Sequence, residues 1–243
     1  MYTYKKMTRK KRQELLSAFE DLRVADVRDG MDWNMMHHYG TICPGIRPLY
    51  RTRVVGLART IRYLPFVGPV PWHKPEKYRE WVGMYYRDIN PYPWRADVEE
   101  GDVIIIDQSG IDVGLMGSEN SMGVMKDGAR GFVSNGFVRD TDELITQKCP
   151  FWSQGMSQKM VQGRSVYDAH NIPVAVGGVQ VRPYDVVVAD GDGVIVVPQE
   201  IALSVAKYAR GENIKDRKAR RKHYDALGLP IDKTVASDKE MES

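Results

Sequence analysis

Apolar residues recur every three or four positions across residues 9–22, which predicts an amphipathic helix. Leu15, Leu16, Phe19 and Leu22 share one face of it and Lys and Arg side chains the other. A second short helix is expected from about Ala25 across Asp26-Val27-Arg28-Asp29. The segment MDWNMMHHYGTICPGIRPL has no period and reads as a loop packed on the core. Residues 53–63 (RVVGLARTIRY) are rich in Val, Ile and Thr and predict a strand, where Gly56 and Ala58 allow close backbone packing. Residues 103–106 are wholly apolar after a Glu-Gly-Asp turn and predict a buried strand closed by Asp107.

The pattern continues with a helix from Ser118 to about Ala129, whose buried face is expected to carry Met122, Met125 and Ala129. Gly-Phe-Val-Ser then reads as a short strand and Asn135-Gly136 as a turn. KCPFWS, ending near Ser153, reads as the lead into a loop. Residues 174–176, 186–189 and 194–197 are short apolar strands with turns at Tyr184-Asp185 and Asp190-Gly191-Asp192-Gly193. From Gln199 to about Asp225 the chain is helical and becomes strongly basic, and the polar tail beyond Pro230 is expected to fray.

One stretch breaks the pattern. Residues 64–98 are dense in proline, tryptophan and tyrosine, and Pro-Trp-His-Lys-Pro excludes both a regular helix and a central strand. Glu76 to Arg87 fits one helix. So aromatic a segment is not a disordered linker, which leaves a lid, a substrate wall or an oligomer contact.

Composition narrows the class. At 243 residues the chain fits one large domain over residues 1–210 carrying this excursion, followed by a basic helix and tail over 211–243. The balance of 35 basic and 32 acidic side chains, a net +3, gives no reason to expect nucleic acid as a partner. Cys43 and Cys149 make neither a disulfide framework nor a zinc pattern, and both are expected reduced and buried. No apolar run approaches the roughly 18 residues of a membrane span. The basic N-terminal segment has no apolar stretch behind it, so a cytoplasmic protein is expected.

Chemistry concentrates in MGSENSMGVMKDGARGFVSNGFVRDTDE, residues 116–143. Gly114 and Gly117 precede a helix start at Ser118, Glu119 and Asn120, whose free N–H groups make an anion site. The turn after the following strand returns Arg139 and Asp140 to that helix start. A guanidinium and a carboxylate there can hold an anionic substrate and a divalent cation together. Other polar residues invite plainer readings. Asp190 and Asp192 belong to a hairpin turn, and the basic run from Lys215 to Lys222 to a solvated helix face. His37 and His38 are adjacent and point to opposite faces of an extended chain, and His38 is a secondary candidate for the site. His73 reaches a site only if the excursion is a lid, and His170 and His223 read as structural or exposed.

VADVRDGMD, VVGLARTIR, the glycine-rich approach to GARGFVSNGFVRDTDE, and YDVVVADGDGVIVVP together resemble the RraA-like family, over roughly residues 13–210. That family holds the regulators of ribonuclease E activity and the class II 4-hydroxy-4-methyl-2-oxoglutarate and 4-carboxy-4-hydroxy-2-oxoadipate aldolases. The resemblance implies an α/β sandwich with a swivelling ββα core, assembled as a ring, a homotrimer or homohexamer, with sites at subunit interfaces. It implies further that Asp140 anchors Mg²⁺ or Mn²⁺ largely through water and that Arg139 binds the pyruvyl part of a 2-oxo acid substrate. The backbone N–H groups of Glu119 and Asn120, after Gly117, would hold the carboxylate. The implied reaction cleaves a small 4-hydroxy-2-oxo acid, or a related sugar acid, to pyruvate through an enolate.

Family aldolases carry an acid 21 positions before the arginine, and position 118 here is serine. Glu119 is adjacent, but one residue along a helix turns a side chain by about 100°. Glu119 as substitute, a base from elsewhere such as Glu143 or a neighbouring subunit's Glu212, and a diverged lyase or hydratase all remain open. So does a non-catalytic regulator that binds a ribonuclease or another protein.

Overall fold

The computed structural model describes residues 3–241. Its main sheet is built from β1 (Arg47–Pro48), β2 (Val54–Pro65), β3 (Asp102–Asp107), β5 (Ala129–Ser134), β7 (Phe151–Ser153), β9 (Ser165–His170), β12 (Val186–Asp190) and β13 (Gly193–Val197). The order across the sheet is β1-β7-β5-β3-β2-β12-β13, with β9 paired to β2. β2, β3, β5 and β7 run parallel, and β12 turns antiparallel onto β2. Gly56 serves this pairing, because a Cβ there would stand 2.6 Å from the Gly101 carbonyl oxygen.

Both faces of the sheet are covered, which is why its strands read as unbroken apolar runs and not as alternation. On one face α1 (Arg9–Phe19), α2 (Val24–Trp33) and α6 (Ala202–Leu227) bring Leu15, Phe19, Met31 and Val205 onto Leu57, Val186 and Val188. On the other, Val103, Ile105, Val187 and Val196 pack with Ile46 and the hairpin β10 (Val174–Val176)–β11 (Val179–Val181). A third cluster joins Ile104, Ile106 and Phe132 to Leu115, Val124, Val138 and Leu144. Those last four come from a small sheet of β4 (Gly114–Met116), β6 (Phe137–Val138) and β8 (Gly155–Met156), with α4 (Ser118–Lys126) and α5 (Thr141–Thr146).

Several expectations change in the folded chain. α4 buries Ser121 and Val124, not Met122, which is 40% exposed, and Ala129 already belongs to β5. Phe151-Trp152-Ser153 is a strand, held beside β5, where a loop is predicted. Cys149 is buried but Cys43 is exposed. The tail does not fray: Val235 and Ala236 are buried, and Arg217 and Arg221 on α6 donate to their carbonyl oxygens at 2.9 and 3.1 Å. It ends in α7 (Asp238–Met241).

Sequence patterning gives no hint of a polar cluster at the centre. Arg59 on β2 is 1% exposed and Asp102 on β3 wholly buried. Arg59 donates to Asp102 at 2.9 Å and to Asn171 at 2.8 Å, while Arg12 of α1 donates to the other Asp102 oxygen at 2.8 Å. The Glu99 N–H also donates to Asp102, at 3.0 Å. The group ties α1, the sheet and the loop before β3 together, with the buried charges paired as such burial requires.

The excursion folds as α3 (Tyr78–Asp88) between two short 3₁₀ turns, Pro75–Lys77 and Pro93–Asp97. Tyr85 and Trp94 are fully buried, and the Trp94 indole N–H donates to the Tyr63 hydroxyl at 2.9 Å. Val67 and Trp72, before α3, remain exposed.

Candidate active site

β4 and β6 pair in parallel, with Gly114 opposite Phe137 and Met116 opposite Val138. Parallel pairing puts the two carboxyl ends side by side. α4 leaves from one and Arg139-Asp140 from the other, so the expected meeting of helix start and Arg-Asp pair occurs. Crevices at the carboxyl ends of parallel strands are where α/β proteins commonly bind ligands.

Asp140 adopts a left-handed conformation, φ 56° and ψ 43°, which Asp tolerates better than most residues. Its backbone begins α5 while its side chain crosses to α4, where Oδ2 accepts the Ser118 N–H at 3.1 Å. A negative charge at a helix N-terminus is favourable in itself. Gly117 permits the approach, since a Cβ there would strike Asp140 Oδ2. Arg139 Nε donates to Asp140 Oδ1 at 3.1 Å, and both side chains are about one-third exposed, at 34% and 33%. The arginine stem packs against Gly114, where a Cβ would lie 2.6 Å from Arg139 Cβ. With Ser118 spent on Asp140, the N–H groups of Glu119 and Asn120 lack backbone partners by helix geometry.

These groups border a cavity of about 200 Å³ lined by Gly114, Leu115, Gly117, Glu119, Asn120, Arg139 and Asp140, closed by Tyr86 and Met160. Tyr86 comes from α3, so the excursion supplies a wall of the cavity. Tyr86 packs on Tyr92 with ring centroids 6.1 Å apart, and the Tyr78 hydroxyl meets Met160 Sδ at 3.8 Å. Burial, with Tyr86 and the Glu119 charge nearby, holds the Tyr92 phenol well above its usual range, so it stays neutral. Larger hollows elsewhere, such as one of about 460 Å³ beside Gln13, Arg53 and Arg130, gather no comparable set of acid, cation and free N–H groups.

Other candidates lie apart from this cavity within one chain. Ser118 contributes its backbone N–H and is not among the lining residues. Glu143 is exposed on α5, and His38 is exposed beyond α2. Glu212 borders a different hollow with Asp29, Asp32, Trp33 and His37, and pairs with Lys215 at 2.9 Å. His73 stacks on Tyr78 and Trp81 and does not line the cavity. His170 pairs with Asp97 at 3.0 Å in a structural role. Tyr86, Leu115 and Met160 are the lining residues to which the sequence pattern does not point. Only the aromatic density around α3 hints at the first, and nothing at the other two.

A profile of the RraA-like family, described as Aldolase/RraA, matches residues 24–196. The chain belongs to the RraA-like family. Its mixed α/β architecture is found again in a crystal structure of an uncharacterized protein from Pseudomonas syringae, with TM-score 0.70, 25% identity and coverage of 96% of this chain and 99% of that one. Streptomyces coelicolor RraAS2, titled an unusual member of the RNase ES inhibitor RraA protein family, superposes with TM-score 0.67 at 22% identity. It covers 93% of this chain and 100% of its own, a likeness of fold. A Halalkalibacterium halodurans relative, provisionally named 4-hydroxy-4-methyl-2-oxoglutarate aldolase, is 30% identical over 121 residues. That match takes in 49% of this chain and 57% of the relative, so the chain spans little more than half of it.

Among the described residues no three His, Cys, Asp or Glu side chains form a metal-binding group. The cavity offers Asp140 as its inner carboxylate. Each oxygen accepts one hydrogen bond and keeps lone-pair capacity. Such a single-carboxylate site fits Mg²⁺, which retains most of its waters, better than a cation that demands a full protein cage.

Proposed function

We propose that this chain is a divalent-metal-dependent lyase of the aldolase type, releasing pyruvate from a small 4-hydroxy-2-oxo acid. The observation that carries this reading is the Arg139-Asp140 pair docked at the start of α4 and opening on a cavity with Glu119 and Asn120. The aldolase naming of the halodurans relative supports it.

In this reading Arg139 takes the substrate carboxylate through its terminal nitrogens, while Nε stays on Asp140. The free N–H groups of Glu119 and Asn120 share that anion at the positive end of α4. Asp140 holds Mg²⁺ or Mn²⁺, which when bound supplies Lewis-acid polarisation of the 2-keto oxygen. Glu119, on the cavity wall, accepts the proton of the 4-hydroxyl, the work of the family acid that Ser118 has replaced. Within one chain Glu212 stands apart from the cavity, so any part it takes comes from a neighbouring subunit of a homotrimer or homohexamer. A cytoplasmic setting belongs to the same reading; no described helix is long and apolar enough to cross a membrane.

The test is pyruvate release from 4-hydroxy-2-oxo acids and oxaloacetate with Mg²⁺ or Mn²⁺, with chelator, and with Arg139→Ala. Metal-dependent turnover that this substitution removes is expected. No turnover from a correctly folded oligomer overturns the reading. The alternative, a non-catalytic regulator, is favoured by one observation, Ser118 in place of the acid. Its basic helix offers less free charge than the sequence suggests. Arg217 is paired with Glu240 and Arg221 with Asp225 and Asp238. A regulator binds its partner whether or not chelator is present.

A further inference from the structure

We infer that the half of the substrate distal to the pyruvyl unit is uncharged and aromatic, not a second carboxylate; this rests on the lyase reading for its chemistry. Charge is the first ground. Arg139 is the one cationic side chain among the residues lining the cavity, against the carboxylates of Glu119 and Asp140. It is already committed to Asp140 and to the first carboxylate.

Neighbouring cations are engaged elsewhere. Arg95 pairs with Asp127 at 2.7 Å, Arg87 with Asp88 at 2.7 Å, and Lys159 with Asp112. A second carboxylate would therefore enter a partly desolvated space facing Glu119 with no cationic side chain of this chain left to pair with it, which is unfavourable.

Shape is the second ground. The apolar and aromatic part of the cavity lining is Tyr86, Leu115 and Met160. Tyr86 is half-buried, and behind it Tyr92 packs edge-on against Trp94 at 5.8 Å, so the ring has a rigid backing. Met160 is braced by the Tyr78 hydroxyl. Ring on ring and ring on sulfur are the contacts such a wall offers, each adding to plain area burial. The excursion that distinguishes residues 64–98 is thus the specificity element. The reaction would be retro-aldol cleavage of a 4-aryl-4-hydroxy-2-oxobutanoate. The 4-hydroxyl gives up its proton, the C3–C4 electron pair moves into the pyruvyl half, C3 takes a proton, and pyruvate and an aromatic aldehyde leave.

The experiment compares 4-hydroxy-2-oxo-4-phenylbutanoate with 4-hydroxy-4-methyl-2-oxoglutarate under Mg²⁺, in the wild type, Tyr86→Phe and Tyr86→Ala. Calorimetric binding of phenylpyruvate and 2-oxoglutarate runs in parallel, with circular dichroism to confirm the fold. A preference in kcat/KM for the aryl substrate of about tenfold or more is expected. Tyr86→Phe should keep it and Tyr86→Ala reduce the ratio about tenfold. Cleavage that favours the dicarboxylate, or a ratio untouched by Tyr86→Ala, overturns the inference and leaves the lyase reading standing. If neither compound is cleaved, binding decides the substrate class, and the lyase reading falls when the wider panel of 4-hydroxy-2-oxo acids and oxaloacetate yields no pyruvate either. Phenylpyruvate bound more tightly than 2-oxoglutarate, and weakened in Tyr86→Ala, supports an aromatic ligand. Equal or reversed affinities overturn it.

Discussion

Two of the molecule's Arg-Asp pairs, Arg59-Asp102 and Arg139-Asp140, differ in nearly everything but their chemistry. Arg59-Asp102 is buried, and each partner is saturated: Asp102 accepts from Arg59, Arg12 and the Glu99 N–H, and Arg59 also donates to Asn171. Arg139-Asp140 is one-third exposed and touches only through Nε and one carboxylate oxygen. The first has no bonding capacity left for a ligand. The second keeps the outer guanidinium nitrogens and spare carboxylate lone pairs facing a cavity. Residue identity does not distinguish the two pairs; unspent hydrogen-bonding capacity does, and the proposed function rests on it.

The sharpest way to break this comparison is to remove each carboxylate. Asp102→Asn leaves the buried Arg59 guanidinium without its charge partner and Arg12 with Glu99 alone, and should cost about 3–5 kcal/mol, read from urea unfolding. Asp140→Asn keeps a residue at ease with left-handed backbone and should change stability by less than about 1 kcal/mol. A comparable loss at both positions would show that Asp140 is structural too. Next in size, Arg139→Ala should lower kcat/KM for pyruvate release by about 100-fold or more, since it removes a cation aimed at developing charge. Gly117→Ala forces Asp140 off the α4 N-terminus and should cost about 100-fold in turnover with circular dichroism unchanged. Full activity there would mean that the Asp140 position is immaterial.

The smallest perturbation is a chemical probe of the core beneath the pair. Burial pushes the Cys149 thiol up to about 12, so at pH 8 almost none of it is the reactive thiolate. A disulfide reagent should therefore titrate exposed Cys43 alone in the native protein and both thiols in denaturant. Two fast thiols in the native state would mean that this core opens readily.

Much of the fold was legible because both sheet faces are buried: apolar runs such as residues 103–106 announce themselves. Helix start and Arg-Asp pair were legible too, since glycines and capping chemistry are local signals. Val124 was lost behind more conspicuous methionines, and Phe151-Trp152-Ser153 reads as a loop until its parallel partner β5 is known. The tail reads as free because its polar composition conceals Val235 and Ala236, whose burial depends on α6 more than ten residues away.

Local sequence carries the family, the α/β class, and the chemistry of a guanidinium and a carboxylate following a glycine-rich helix start. Those are properties of neighbouring residues and of spacing. Tertiary contacts settle which Arg-Asp pair has capacity to spare and bring Tyr86, more than fifty residues earlier in the chain than Asp140, to the same cavity. They also separate Glu143 and His38 from the cavity within one chain. Periodicity reports which side of an element is buried, but which elements then share a cavity is set by parallel β4–β6 pairing and by the seat of α3, neither of which is written locally.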